Sequence, residues 1–107
     1  MRPTSLFKAH NFSSHKFLPQ LVHASDRVRA FLLCLEPGQA LPPRPDSEEL
    51  LCYLIEGRAK LTIGDEAFQT SAGDLAAAAP GEVRGIEAED RTVALWVHMA
   101  AQGRADG

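Results

Sequence analysis

PPRPDSEELLCYLIEG, residues 42–57, is the stretch that decides how this chain folds. Two prolines open it, four charged side chains follow between residues 44 and 49, and an uncharged, mostly apolar run, LLCYLI, fills residues 50–55. A short apolar run bounded by proline and glycine is typical of a buried β-strand. The charges at its entrance leave three interpretations open: a metal site, an anion site, or the solvated start of a strand.

Turn signals recur at roughly ten-residue intervals outward from this stretch, and that spacing is typical of an all-β sandwich or barrel. They are Pro37-Gly38, Pro42-Pro43, Gly57, Gly64-Asp65, Gly73-Asp74, Pro80-Gly81 and Glu89-Asp90. Residues 60–68, KLTIGDEAF, read as a hairpin around a Gly-Asp turn. We therefore predict an all-β, antiparallel fold.

Length and charge limit the classes of function. The 107 residues form one domain, and 45% of them are hydrophobic, enough for an ordered core. The net charge of −3, with scattered Lys and Arg, argues against nucleic-acid binding. No apolar stretch has the roughly 20 residues that a membrane span needs. The N-terminus lacks the apolar segment of a secretory signal, and the two cysteines are expected to be reduced, so we expect a cytoplasmic protein.

Two apolar runs, AFLLCL at residues 30–35 and LLCYLI at residues 50–55, do not alternate with polar residues. A strand that is apolar on both faces needs cover on both faces. A second copy of the chain would supply it, so we expect a homodimer. Strands in residues 6–24 are the alternative cover. We expect the tail, residues 101–107, to be flexible.

The glycines and prolines at these turns resemble those of the cupin superfamily, small antiparallel β-barrels of the jelly-roll type. In the first cupin motif, G-x5-H-x-H-x3-E-x6-G, Gly38 and Gly57 occupy the two glycine positions. In the second motif, G-x5-P-x-G-x2-H, Gly73 and Gly81 do the same. The resemblance covers about residues 28–99 and implies an antiparallel jelly-roll barrel.

The four metal-ligand positions that the resemblance implies are all replaced. Arg44 and Asp46 stand at the first two histidines, Leu50 at the glutamate and Arg84 at the last histidine. A guanidinium has no lone pair to donate and repels a cation. We therefore expect no metal and no cofactor, and we interpret the neighbouring glutamates 48 and 49 as solvated residues of the barrel rim.

The resemblance implies that Arg44, Asp46 and Arg84 converge at the mouth of the barrel. Leu50 and Cys52 share one strand face, which implies an apolar pocket beneath. Two hypotheses follow: Asp46 pairs with one or both arginines and closes the mouth, or the arginines bind a small organic anion.

Other residues offer weaker signals. His98 is in phase with Trp96 on the last strand, so His98 is a candidate base or ligand-binding residue. Trp96 is interpreted as core or interface. Cys52 is a nucleophile only if a nearby arginine lowers its pKa. The remaining histidines show no metal-site spacing.

The main functional hypothesis is a metal-free cupin that binds a small anionic molecule. The alternatives are a cupin enzyme of the isomerase, decarboxylase or dioxygenase kind, and a structural or oligomeric accessory protein. The sequence does not decide whether a reaction takes place.

Overall fold

Nine β-strands make up the fold of the computed structural model, which describes residues 2–7, 9–15 and 17–100. The strands are β1 (Gln20–Ala24), β2 (Val28–Leu35), β3 (Ala40–Pro45), β4 (Glu49–Glu56), β5 (Arg58–Ile63), β6 (Glu66–Ser71), β7 (Leu75–Ala78), β8 (Val83–Ala88) and β9 (Thr92–Met99). The hairpin predicted around Gly64 is confirmed as β5–β6. Among these described residues, no helix is long and apolar enough to cross a bilayer.

The strands form two antiparallel sheets that enclose the core. One sheet has the order β1-β2-β9-β4-β7 and the other the order β3-β8-β5-β6. Because the chain crosses repeatedly from one sheet to the other, the arrangement is a jelly roll. The predicted all-β, jelly-roll class is confirmed.

Strand β2 is buried on both faces, as its uninterrupted apolar sequence predicts. Leu33 and Leu35 point into the core between the sheets, with Leu50, Leu54 and other apolar residues. Leu32 and Cys34 point outward. The outer face of this strand therefore needs a cover of its own.

The N-terminal segment supplies that cover. Leu6, Ala9 and Phe12 pack against the outer cluster formed by Leu32, Cys34 and Val93. The strands expected in residues 6–24 are present only from residue 20, and the described residues between 6 and 19 form turns and irregular backbone. The expectation of earlier strands is thus corrected, since the segment covers the sheet with side chains and needs no pairing of its own. The flexible tail expected at residues 101–107 lies outside the described residues.

Gly57 shows why the predicted turn positions require glycine. Its φ is 89°, and a Cβ there would lie 2.2 Å from the carbonyl oxygen of Arg91. An L side chain is strained at this φ and has no room at this distance. The turn between β4 and β5 can therefore close only around glycine.

Strand β3 bulges where it passes β8. Leu41 pairs with Ile86 and Arg44 with Arg84, so Pro42 and Pro43 together face one residue, Gly85. A Cβ on Gly85 would stand 2.7 Å from the Cα atom of Pro43. The missing side chain lets the two prolines approach β8 and shape the edge of the cavity described next.

Candidate functional site

A cavity of about 480 Å³ lies between the two sheets at one end of the barrel. Residues of β2 and β9 in one sheet and of β3 and β8 in the other form its walls, with one residue of the N-terminal segment and one of the turn after β3. The lining residues are Pro19, Arg29, Phe31, Leu41, Pro42, Pro43, Arg44, Asp46, Arg84, Trp96 and His98. The volume is in the range of small-molecule sites.

Strand pairing arranges the lining of the five-stranded sheet in layers. His98 on β9 pairs with Arg29 on β2, which makes a polar layer. Phe31, two residues after Arg29, pairs with Trp96, two residues before His98, and these two side chains make an aromatic layer. Because side chains two residues apart share a face, the polar and aromatic layers lie side by side in the cavity. The site therefore has a charged region next to an apolar one.

Arg84 is the most unusual group in this cavity. Its residue is only 4% exposed. The guanidinium donates to three backbone carbonyls: Nε to Glu82 at 2.9 Å, Nη2 to Ala79 at 3.0 Å and Nη2 to Asp46 at 3.4 Å. Its Nη1 is buried and has no hydrogen-bond partner among the described residues. In that part of the chain no carboxylate forms an ion pair with Arg84, so its charge is balanced only by backbone carbonyls and by the nearby charge of Asp46.

Arg44 and Asp46 line the same cavity, as the resemblance implied, but they do not form the predicted ion network. Oδ1 of Asp46 accepts a hydrogen bond from the backbone N–H of Glu48 at 2.9 Å. That bond, more than the nearby positive charges, holds the pKa of Asp46 below its usual range, although partial burial opposes it. Arg44 is exposed and pairs through its backbone with Arg84. Among the described residues, neither arginine forms an ion pair with Asp46, whose carboxylate accepts the hydrogen bond of a turn and interacts with Arg84 only through its charge.

His98 lies beside an ion pair that the sequence did not predict. Arg29 donates to Oε1 of Glu48, and Nδ1 of His98 lies 3.5 Å from the same oxygen. That nitrogen is buried and makes no hydrogen bond in the described part of the chain. Burial lowers the pKa of His98, and the charges around it oppose one another: Asp46 and Glu48 raise it while the arginines lower it. His98 is therefore largely neutral near pH 7.

Leu50 and Cys52 do not line the cavity. Both are fully buried in the packed core. Their cross-strand neighbours on β9, His98 and Trp96, line the cavity instead. Burial raises the pKa of the Cys52 thiol to about 12, so the lowered pKa that a nucleophile would need is absent. Trp96 is a core residue, as predicted, and it also contacts the cavity.

The residues at the cupin metal positions do not fit a divalent cation. Leu50 offers no ligand atom, Arg44 and Arg84 carry positive charge, and only Asp46 remains.

A different set, Asp46, Glu48 and His98, has ligand atoms within 4.8 Å of one another. Glu48 is already neutralised by Arg29, and three guanidiniums line the cavity beside this set, so the local charge opposes a cation.

Six residues that shape the cavity were not predicted as site residues from the sequence: Pro19, Arg29, Phe31, Leu41, Pro42 and Pro43. For Phe31 a signal exists, since it shares strand parity with the inward-facing Leu33 and Leu35. For Arg29 no signal exists, because its place beside His98 depends on the pairing of β2 with β9, which are distant in sequence.

Comparison with known proteins places this geometry in a family. The profile of the cupin domain matches residues 31–99. No curated protein matches the chain.

Many solved structures share the fold. An RmlC-like cupin protein from Desulfovibrio desulfuricans superposes with a TM-score of 0.84 at 24% identity, over 92% of this chain and 96% of that chain. The protein TT1209 from Thermus thermophilus gives 0.84 at 25%, over 92% and 97%. An uncharacterised conserved protein with a double-stranded β-helix domain from Klebsiella pneumoniae gives 0.85 at 20%, over 94% and 86%. With a matching profile over well more than half of its length and this fold, the chain belongs to the cupin-domain family.

Proposed function

We propose that this cupin binds a small organic anion in the cavity between its sheets, with the acid group on Arg84. One observation carries the proposal: a buried guanidinium lines the cavity with Nη1 unpartnered and no carboxylate paired to it among the described residues. Burying an unpaired charge costs free energy that a bound anion would recover. A carboxylate or phosphate oxygen is the partner that a guanidinium binds best.

The balance of charge around the cavity also favours a negatively charged ligand. Three arginines line it, namely Arg29, Arg44 and Arg84, against one carboxylate, Asp46. Arg29 is partly neutralised by Glu48, whereas Arg44 and Arg84 form no ion pair within the described ranges. An anion therefore enters a region of positive potential.

The apolar part of the lining supports an organic ligand over a bare inorganic ion. Phe31, Trp96 and Leu41 lie beside the polar layer and can bury the body of a small acid. Sites for small molecules combine an apolar wall with a few polar groups that orient the ligand, and this cavity has both.

Binding is favoured over catalysis by the state of the candidate catalytic groups. The Cys52 thiol, with its pKa at about 12, is no nucleophile near neutral pH. Asp46 accepts a backbone hydrogen bond that holds its turn. His98 is the remaining acid–base group, and a single neutral imidazole supports the enzyme alternative less well than the buried arginine supports an anion site.

A thermal-shift titration of the full chain with sodium acetate, butyrate, benzoate and phosphate tests the proposal. A ligand at about 100 times its Kd stabilises the folded state by about 2.7 kcal/mol, which is roughly a 10 °C rise in Tm for a domain of this size. Arg84→Met should abolish the rise for every ligand that produces it. Arg58→Met is the matched control, since Arg58 is exposed, pairs with Asp90 and lies outside the cavity.

Two results would count against the proposal. The first is that no carboxylate or phosphate raises the Tm of the wild-type chain. The second is that Arg84→Met and Arg58→Met respond alike to the same ligand. Arg84→Lys guards against a folding defect in the methionine variant, because it keeps the charge and should retain a reduced rise in Tm.

A further inference from the structure

We infer that the ligand of this cavity is a flat, ring-containing carboxylate, such as an aromatic acid, whose ring lies between Phe31 and Trp96 on one wall and Pro42 and Pro43 on the other. The inference rests on the proposed anion site at Arg84 and goes beyond it by naming the class of ligand. The charge of the site predicts only that the ligand is an anion, whereas the side chains of the two walls predict the shape of the rest of the ligand.

The aromatic wall is continuous because Phe31 and Trp96 are direct partners across β2 and β9. Trp96 is buried against the core, which limits its movement. Contacts with the polar layer fix the position of Phe31. The His98 ring packs edge-on against the Phe31 ring, with centroids 5.9 Å apart and planes at 88°. The guanidinium of Arg29 also lies 5.9 Å from the Phe31 centroid. Two aromatic side chains thus present a preorganised surface.

The opposite wall is rigid for a different reason. Pro42 and Pro43 form the bulge of β3, and their rings fix the backbone there. The close approach of Pro43 to Gly85 leaves this wall little room to move inward. The two walls line one cavity between the sheets, so a planar ring between them contacts aromatic side chains on one face and proline rings on the other.

The position of Arg84 sets the direction in which such a ligand binds. Arg84 lines the cavity from β8, beside Arg44, its cross-strand partner on β3. Phe31 and Trp96 line the same cavity from the other sheet, where they form the aromatic layer next to the polar one. A carboxylate attached directly to a ring spans these layers without a flexible linker, so no internal rotation is lost on binding. A long-chain fatty acid would have to order its chain in the same space.

Benzoate and cyclohexanecarboxylate make the decisive pair of probes. They have the same charge and ring size, but only benzoate is planar and aromatic, while cyclohexanecarboxylate is at least as apolar. A cavity that only buries apolar surface would not prefer benzoate. We expect benzoate to bind the full chain about five- to tenfold more tightly by isothermal titration calorimetry.

Trp96 provides a second readout, since it is the chain's one tryptophan and it lines the cavity. Its emission, excited at 295 nm, should change saturably with benzoate and give the same Kd as calorimetry. Phe31→Leu keeps an apolar side chain and removes a ring, so it should bring the ratio of the two affinities close to one. Phe68→Leu, an exposed aromatic position on β6 outside the cavity, should leave the ratio unchanged.

The outcomes separate this inference from the proposal beneath it. If neither ring acid binds while acetate, butyrate or phosphate raises the Tm, the flat-ring inference is overturned and the anion site stands; if no anion in either panel binds, both are wrong. If both bind through Arg84 and cyclohexanecarboxylate binds as tightly as benzoate or more so, the flat-ring inference is overturned while the anion site stands. That comparison uses the wild-type chain, so it decides the matter even if Phe31→Leu fails to fold.

Discussion

His98 is the residue at which the cavity should make stability depend on pH. Burial lowers its pKa from 6.5, so in the folded chain it stays neutral to a lower pH than in the unfolded chain. As pH falls below about 6.5 the unfolded state takes up a proton that the folded state does not, and the free energy of unfolding decreases. The decrease continues until pH reaches the lowered pKa of the folded state.

His98→Gln should therefore flatten the dependence of stability on pH between pH 7 and 5. Urea unfolding of both proteins at pH 7, 6 and 5 measures it. His15→Gln, at an exposed position outside the cavity lining, serves as the control and should follow the wild-type curve. Parallel curves for wild type and His98→Gln across this range would show that burial does not hold the imidazole neutral. The lowered pKa of Asp46 affects a separate window, below about pH 4.

At the same scale, the sequence predicted which residues meet but not what they do there. The spacing of the motif glycines was enough to bring Arg44, Asp46 and Arg84 around one cavity, and strand phase with Trp96 made His98 a candidate for it. It could not predict that the guanidinium of Arg84 would bond to backbone carbonyls, because those carbonyls belong to turns whose exact path depends on the whole fold. Nor could it predict that the Asp46 carboxylate would accept a backbone N–H instead of pairing with arginine.

The N-terminal segment is the element whose role the structure defines best. Phe12 packs on the outer cluster of Leu32, Cys34 and Val93, and the guanidinium of Arg91 lies 4.4 Å from its ring centroid. Hydrogen bonds fix the backbone on either side, from the Asn11 N–H to Cys34 Sγ at 3.4 Å and from Gln39 Nε2 to the Ser13 carbonyl at 2.6 Å. The segment is therefore part of the folded domain.

Phe12→Ala should cost about 2–4 kcal/mol of unfolding free energy, because it removes a partly buried aromatic ring from this cluster. Phe7→Ala is the matched control, since Phe7 is 76% exposed and its loss should cost less than about 0.5 kcal/mol. Denaturant unfolding of the two variants beside wild type gives both values. Equal losses, or a negligible loss for Phe12→Ala, would mean that the segment does not hold the outer face of β2 in solution.

Strand positions could be predicted from sequence to the extent that local patterns determine them. Residues 58–63 alternate between polar and apolar in the sequence, and their apolar residues face inward in β5: Ala59 and Leu61 are buried and Ile63 partly so. The four alanines of residues 76–79 lie between two turn signals in the sequence, and the first three of them belong to β7. The N-terminal segment offers no such pattern. Its packing depends on tertiary contacts with β2 and β9, so its sequence alone was misread as strand.

At the scale of the whole molecule, the two apolar runs that predicted a homodimer differ in whether the chain itself covers their outer faces. The outer face of β2 is covered within the chain by the N-terminal segment. The outer face of β4 is not: Leu51 and Tyr53 are exposed, and across β7 so is Leu75, which pairs with Tyr53. The case for a second copy therefore moves from β2 to the β4–β7 side of the five-stranded sheet, where β7 is also an edge strand.

We expect the chain to be a dimer in solution through this face, because adjacent exposed apolar side chains beside an unpaired strand edge favour association. Size-exclusion chromatography with light scattering on the full chain should give twice the mass of one chain at micromolar concentration. Leu75→Lys, at a side chain 66% exposed, should shift the mass to that of a monomer without lowering the stability of the fold. Leu21→Lys is the control, since Leu21 is similarly exposed on β1, at the opposite edge of the same sheet.

Two results would contradict this dimer. A monomeric wild type would show that no contact forms, and a dimer that Leu21→Lys disrupts and Leu75→Lys does not would place the contact elsewhere. In either case the cavity, which opens between β2, β3, β8 and β9, would be complete within one chain.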